Sequence, residues 1–194
     1  MNLAASDPAP VDPRPPCTVE IVQPAELDLD TLEPLWASLL AHHAALRPEL
    51  PARSHAGSWA RRRPQYERWL ANPGSFAVLA RRGPGLVGYA LVEIQEPDET
   101  FVTGPIAEVH TLVVAPSERG AGLGSAVMDT VDAELDRLGV ADVLLDYLAG
   151  NDAAARFYER RGFVPFVNAL YRRRGAAAAA PPSKPGNSDT EEDA

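Results

Sequence analysis

The stretch "SERGAGLG", residues 117–124, decides how the chain folds, because three glycines alternate with apolar residues directly after an arginine. The preceding run "AEVHTLVV" (107–114) is rich in β-branched residues and predicts a strand. The following run "SAVMDTVDAELDRLG" (125–139) has apolar residues at helical spacing and predicts a helix. Since glycine costs backbone entropy at such a join, we expect a ligand to approach the backbone there. Backbone N–H groups that open a helix are typical of an anion site; the alternative is a tight turn that only starts the helix.

Two common phosphate-binding motifs do not fit this loop. A Walker A loop requires a lysine after its last glycine, where this chain has Ser125. A dinucleotide fingerprint requires glycine or alanine at its sixth position, where starts at Gly120 and Gly122 give Ser125 and Val127. The pattern present is Arg-x-x-Gly-x-Gly, beginning at Arg119.

The composition predicts one domain between two unstructured ends. Residues 1–17 are rich in proline and alanine and residues 176–194 form an acidic tail, so neither can bury much apolar surface. Residues 18–175 are enough for one domain with a core of its own.

The charge and the cysteine count exclude several classes of function. The formal net charge of −9 argues against bulk nucleic-acid binding, which depends on phosphate neutralisation. The single cysteine, Cys17, excludes a disulfide framework within one chain and a cysteine-based metal site. No apolar run indicates a signal peptide or membrane anchor, so we expect a cytoplasmic setting without membrane contact.

The periodicity predicts an α/β or α+β layered fold. Helix 30–46 has Asp30 as its expected N-cap with Glu33 three residues later. Gly139 and Gly162 are expected to end the last two helices. The predicted order is strand 18–25, helix 30–46, helix 58–72, a hairpin of strands 75–82 and 86–94, strand 107–114, a helix to Leu138, strand 141–148, helix 151–162 and strand 163–174.

Two motifs resemble those of the GNAT superfamily of acetyl-CoA-dependent N-acetyltransferases. They occur in the order and at the separation usual in that family, and the resemblance covers about residues 18–175. It implies a mixed, mostly antiparallel central sheet flanked by helices. The residues that carry it are Arg119, Gly122 and Gly124 in the first motif, and Asn151, Phe157, Tyr158, Gly162 and Phe163 in the second.

The resemblance implies how acetyl-CoA would bind as cosubstrate. The pyrophosphate would lie on the backbone N–H groups of 119–125, where glycines allow close approach. The pantetheine arm would pair with β-strand backbone freed by a splay from the neighbouring strand. The implied binding residues are Leu112, Val113, Val114, Arg119, Gly120, Ala121, Gly122, Leu123, Gly124, Ser125, Asn151 and Tyr158.

The resemblance also implies catalytic roles for two residues. Tyr158 would donate a proton to the departing thiolate; the alternative is that Tyr158 only packs. An amine attacks as the free base, and Glu108 lies where some family members carry the carboxylate that removes its proton. His110 is the alternative base on the same nominal strand face, although a bulge in that strand would change which face each residue occupies.

The predicted reaction is direct acetyl transfer to a primary amine of a small molecule or peptide, without a covalent acyl-enzyme. The alternative is an acyl-CoA-binding module that senses the cofactor without turnover. No metal site is expected, since His42 and His43 are adjacent and point to different helix faces. The basic run 61–63 with Arg68 is interpreted as a solvated helix face, although the resemblance implies that it borders the acceptor site and could dock an anionic group. The oligomeric state is left open, a homodimer included.

Overall fold

The computed structural model describes residues 15–96 and 104–173. The chain divides into two units, one ending at Ala155 and one beginning at Arg156, and each is described by itself. The predictions for an unstructured arm and an acidic tail fall almost entirely outside the described residues. Cys17 is an exception, because it is the first residue of a strand rather than part of an arm.

The described part of the first unit contains five strands and three helices, and a fourth helix begins near its end. The strands are β1 Cys17–Val22, β2 Phe76–Arg82, β3 Gly85–Gln95, β4 Ile106–Val114 and β5 Asp142–Leu145. The helices are α1 Glu33–Leu46, α2 His55–Leu70, α3 Leu123–Leu138 and α4 Asp152–Arg160. Short 3-10 turns occupy Pro24–Glu26, Leu29–Leu32 and Pro116–Glu118.

The sheet is mixed and mostly antiparallel, as predicted. Its strand order follows the chain, β1-β2-β3-β4-β5, and only the last pair is parallel. The predicted hairpin of β2 and β3 is confirmed, and Gly83 turns it with a φ of +56°. Because β4 and β5 are parallel, their carboxyl ends point in the same direction, towards the residues that begin α3 and α4.

Helices cover both faces of the central strands. Leu79, Tyr89, Leu91 and Val113 pack with α1 and α2 in one apolar cluster. Residues between them, such as Val78 and Ala90, point to the other face and are equally buried. On α3, Leu123, Val127, Val131 and Leu135 form one buried apolar face, and this helix contacts β1 to β4.

A buried hydroxyl network attaches α2 to the sheet. The Tyr66 hydroxyl lies 2.9 Å from the Tyr89 hydroxyl on β3 and 2.9 Å from Thr111 Oγ1 on β4. Burial raises the pKa of both phenols, so both stay neutral and able to donate. Trp36 of α1 donates its indole N–H to Ser58 Oγ at 3.0 Å, which joins the two helices.

The predicted start of the first helix is wrong. Asp30 lies in a 3-10 turn that precedes α1, and the carboxylate of Asp28 accepts the backbone N–H of Asp30. The Asp30 carboxylate instead accepts Arg63 Nε at 2.8 Å, which lowers the pKa of Asp30. A long-range partner on α2 therefore replaces the local capping role that the sequence suggested.

The predicted last strand is also wrong. In the second unit, the described residues after α4 form neither helix nor strand. Pro165 removes one backbone donor from this segment. Five of its large apolar side chains are exposed, namely Val164, Phe166, Val167, Leu170 and Tyr171.

No helix in residues 15–96 and 104–173 combines the length and apolar character that a membrane crossing requires.

We expect Tyr66→Phe to lower the free energy of unfolding by about 1–3 kcal/mol, because it leaves buried hydroxyls of Tyr89 and Thr111 without their partner. Urea unfolding followed by circular dichroism measures this loss as a lower midpoint at constant slope. Tyr171→Phe is the control, since Tyr171 is exposed and its change should stay within about 0.5 kcal/mol. Equal stability of the two variants would contradict a structural role for the hydroxyl network.

Candidate active site

The glycine loop, residues 119–125, presents bare backbone at the start of α3. Gly120 and Gly122 have φ values of +78° and +81°, a region that disfavours residues with a Cβ. A Cβ built on either would find no other heavy atom of the described chain within 4 Å. Gly122 is the N-cap of α3, and this helix start has neither a capping side chain nor an acidic residue in its first turn. The exposed N–H groups and the helix dipole therefore favour an anion, and the open space accommodates one.

Two arginines hold this loop on the sheet. Arg82 of β2 donates to the buried Glu118 carboxylate at 2.9 Å and to the Pro15 carbonyl at 2.6 Å. Arg119 donates its Nε to the Val114 carbonyl at 3.2 Å. This bond ties Arg119 to the last residue of β4, and its role in binding a cofactor stays a prediction.

The end of β4 is paired on one side only. Its pairing with β3 continues to Val114, but its pairing with β5 runs only from Ile106 to Val109. Beyond that point β5 ends at Leu145, so backbone of β4 is released along Leu112 to Val114. This unpaired edge is what the implied pairing with a pantetheine arm requires, and a 3-10 turn at Pro116–Glu118 connects it to the glycine loop.

A bulge in β4 creates a cluster of titratable groups just before the unpaired edge. Leu91 pairs with Thr111 whereas Val92 pairs with Val109, so His110 is the extra residue. The next pair along is Glu93 with Glu108, which sets two carboxylates opposite each other.

We call Glu93, Glu108 and His110 the Glu–His–Glu cluster. His110 Nε2 lies 2.5 Å from a Glu93 oxygen and its Nδ1 lies 3.3 Å from a Glu108 oxygen. Gln95 donates its amide to both carboxylates, at 2.9 and 2.7 Å. These donors relieve the repulsion between facing carboxylates. Glu108 is about a third exposed, whereas His110 and Glu93 are largely covered, so Glu108 is the member most accessible to a ligand.

Side chains of α2 and the residues after it fix the cluster from the other side. The Trp69 ring stacks on the His110 ring with centroids 3.6 Å apart and planes 8° from parallel. Asn72 donates its amide to Glu93 at 2.6 Å. Sequence reasoning missed Glu93, Trp69 and Asn72, because only the register of β3 on β4 and the docking of α2 bring them to His110.

The three side chains of the Glu–His–Glu cluster also lie close enough together to bind a cation. Their ligand atoms fall within 4.8 Å of one another, which makes them the one such group in the described parts of the chain. Both carboxylates already accept amide hydrogens. The hydrogen bonds account for the arrangement without an ion.

Asn151 caps α4. Its Oδ1 accepts the backbone N–H of Ala154 at 3.2 Å, and its carbonyl accepts that of Ala155 at 3.0 Å. The side-chain oxygen therefore accepts a hydrogen bond from the first turn of α4. The side-chain NH₂ group of Asn151 is the part that could donate to a cofactor. Its binding role stays a prediction.

In the second unit, Tyr158 is buried in an aromatic group. Its ring makes edge contacts with Phe157 and Phe163, with centroids 5.1 and 5.6 Å apart. Gly162, with a φ of +87°, ends the helix and lets the Phe163 N–H donate to the Tyr158 carbonyl at 3.1 Å. The Gly-Phe part of the sequence motif thus orients the tyrosine ring, and the role of its hydroxyl stays a prediction.

Comparison with known proteins assigns the family. The model of the acetyltransferase (GNAT) family matches residues 40–163, which include every predicted site residue. The chain belongs to the GNAT family. The mycothiol acetyltransferase of Thermobispora bispora is 36% identical over 159 residues, which cover 77% of this chain and 51% of that protein. The chain thus spans about half the length of the curated relatives it matches.

Solved structures agree with this GNAT fold. A GCN5-related N-acetyltransferase from Ralstonia eutropha has a TM-score of 0.65 at 18% identity, covering 82% of this chain and all of that one. An aminoglycoside N-acetyltransferase in complex with CoA has a TM-score of 0.54 at 17% identity, covering 86% of this chain and all of that one. At such low identity the likeness concerns the fold alone.

We expect Gly122→Asp to weaken acetyl-CoA binding at least about tenfold, because it adds a strained Cβ and a negative charge where the loop favours an anion. Isothermal titration calorimetry measures the change. Gly122→Asn is the matched control, since asparagine has the same shape without charge and tolerates a positive φ. Equal affinity of wild type and a folded Gly122→Asp variant would exclude the glycine loop as the phosphate site.

Proposed function

We propose that the chain transfers an acetyl group from acetyl-CoA directly to a primary amine. The observation that carries the proposal is the double role of β4, which has an unpaired edge next to the glycine loop and a Glu–His–Glu cluster at its bulge. The backbone proposed to hold the cofactor, Leu112 to Val114, and the proposed proton acceptor, Glu108, would then lie on one strand, at most six residues apart.

Backbone groups would hold the cosubstrate. The N–H groups of the glycine loop suit its pyrophosphate, and the released backbone of Leu112 to Val114 suits its pantetheine amides by strand addition. When bound, acetyl-CoA supplies the activated thioester carbonyl. The chain contributes orientation of that carbonyl against the amine, which is a large part of catalysis in such reactions.

The Glu–His–Glu cluster would take the proton of the amine. A lysine-like ammonium with a pKa near 10.4 must lose a proton before it attacks. Glu108, the most exposed of the three, accepts that proton, and His110 and Glu93 orient it. The new C–N bond forms as the C–S bond breaks, and the Tyr158 hydroxyl protonates the departing thiolate.

The position of the single cysteine supports direct transfer. Cys17 lies in β1, at the opposite edge of the sheet from β4 and β5. A covalent acyl-cysteine at this position would be two strands away from Glu93 on β3 and three strands away from Glu108 and His110 on β4. An amine that attacks the bound thioester itself needs no such intermediate.

The acceptor belongs to this proposal as well. The curated relatives are named for mycothiol, so an amine related to mycothiol is a natural first acceptor to test. A peptide amine is the alternative class. A cytoplasmic setting, the absence of a nucleic-acid partner and the oligomeric state stay predictions.

Thiol release from acetyl-CoA with a panel of amines tests the function. We expect turnover by wild type and a 10²–10⁴-fold slower acyl-transfer step in Tyr158→Phe, with acetyl-CoA affinity within a few-fold, because the hydroxyl acts mainly in the transition state. Tyr147→Phe, an exposed tyrosine in the first unit, is the control and should match wild type. Tight binding of acetyl-CoA without turnover of any amine would favour the binding-module alternative.

We expect Glu108→Gln to lower kcat/KM about 10²-fold near neutral pH and progressively less at higher pH, where more of the amine is already neutral. The pH profile of kcat/KM measures this, and Glu20→Gln on β1 is the control. A loss that is the same at every pH would assign Glu108 a positioning role. Loss in His110→Gln but not in Glu108→Gln would make the imidazole the proton acceptor.

A further inference from the structure

A cavity of about 370 Å³ between α1 and α2 carries an unusual concentration of positive charge. We call it the arginine pocket. Its charged lining consists of Arg53, Arg61, Arg62 and Arg68, with Trp36 and Gln65 beside them. No carboxylate of the described residues lines it, although the chain as a whole has a formal net charge of −9.

These arginines lack the acidic partners that their neighbour has. Arg63, on the same helix, pairs with Asp30 at 2.8 Å and with Glu67 at 2.5 Å. The four pocket arginines form no ion pair with any residue in 15–96 or 104–173. Converging guanidinium groups repel one another, so an anion between them is stabilising.

Arg62 is already positioned for such an anion. Its guanidinium carbon lies 4.3 Å from the centre of the Trp36 ring and 5.4 Å from that of Trp69. These cation–π contacts hold the half-buried cation, and its N–H groups donate to no acceptor among the described residues. A guanidinium has five N–H donors in a planar fork that matches a carboxylate or a phosphate.

A single aromatic ring connects the pocket to the Glu–His–Glu cluster. Trp69 contacts Arg62 on the pocket side and stacks on His110 of the cluster. A ligand whose amine meets Glu108 could therefore extend past this indole ring and place a second group among the arginines.

We propose that the arginine pocket binds an anionic group, a carboxylate or a phosphate, of the acceptor, so that the preferred acceptor is an amine that carries a remote negative charge. The acceptor part rests on the proposed function. A phosphate of acetyl-CoA would offer the same chemistry, and the experiments below separate these two sources.

The first experiment measures anion binding without turnover. Inorganic pyrophosphate is titrated into protein saturated with acetyl-CoA, so that the glycine loop is already filled, and tryptophan fluorescence is recorded. The signal is local, because the chain has three tryptophans and two of them contact Arg62. We expect saturable binding that is at least about tenfold weaker in Arg61→Gln/Arg68→Gln and unchanged within twofold in Arg63→Gln. Equal binding by wild type and the double variant would overturn the pocket as an anion site.

The second experiment compares acceptors that differ only in the anion. A series of ω-aminoalkanoic acids is assayed beside alkylamines of equal length. We expect the double variant to lower kcat/KM at least about tenfold for the acids, with the amines and the KM of acetyl-CoA within twofold of wild type. The two exposed arginines can be replaced without disturbing the core.

Two other results would have different meanings. A rise in the KM of acetyl-CoA with no selective loss for the acids would assign the pocket to a cofactor phosphate and overturn the acceptor proposal. If wild type acetylates no amine, the proposed function fails, and the pyrophosphate titration alone decides whether the pocket binds anions.

Discussion

The buried hydroxyl of Tyr66, between Tyr89 of β3 and Thr111 of β4, fixes where α2 lies on the sheet. Residues three and four positions apart share one face of a helix, so this anchor also directs Arg62 and Trp69. Trp69 thereby stacks on the imidazole of the Glu–His–Glu cluster, and Arg62 faces the arginine pocket. One helix register sets the geometry of both sites.

The strand β4 places binding and proton transfer side by side because its two edges have different partners. Pairing with β3 continues to Val114, shortly before the glycine loop. The early end of β5 frees its other edge. The bulge at His110 then turns a side chain that regular alternation would have aimed elsewhere into contact with Glu93 and Glu108.

Local signals explain which predictions are confirmed. Gly139 ends α3 and Gly162 ends α4, both in the left-handed region. Each of these depends on neighbours within a few residues in the chain. The predictions for Asp30 and for the segment 163–174 are wrong because both depend on residues far away in the chain. The Asp30 carboxylate binds Arg63 of α2, and an alternating apolar pattern forms a strand only where a neighbouring strand is available to pair with it.

The sequence by itself determined the order of the elements from β1 to α4, the glycine loop at the join of β4 and α3, and Glu108 and His110 as titratable residues on the strand before that loop. Only the tertiary structure decided that Glu93 faces Glu108, that Trp69 covers His110, and that four arginines converge without an acidic partner among the described residues. The physical reason is the distance along the chain between the residues that interact. Backbone conformation follows from nearby residues, whereas strand register and helix docking are set by burial and hydrogen bonds between residues far apart in the chain.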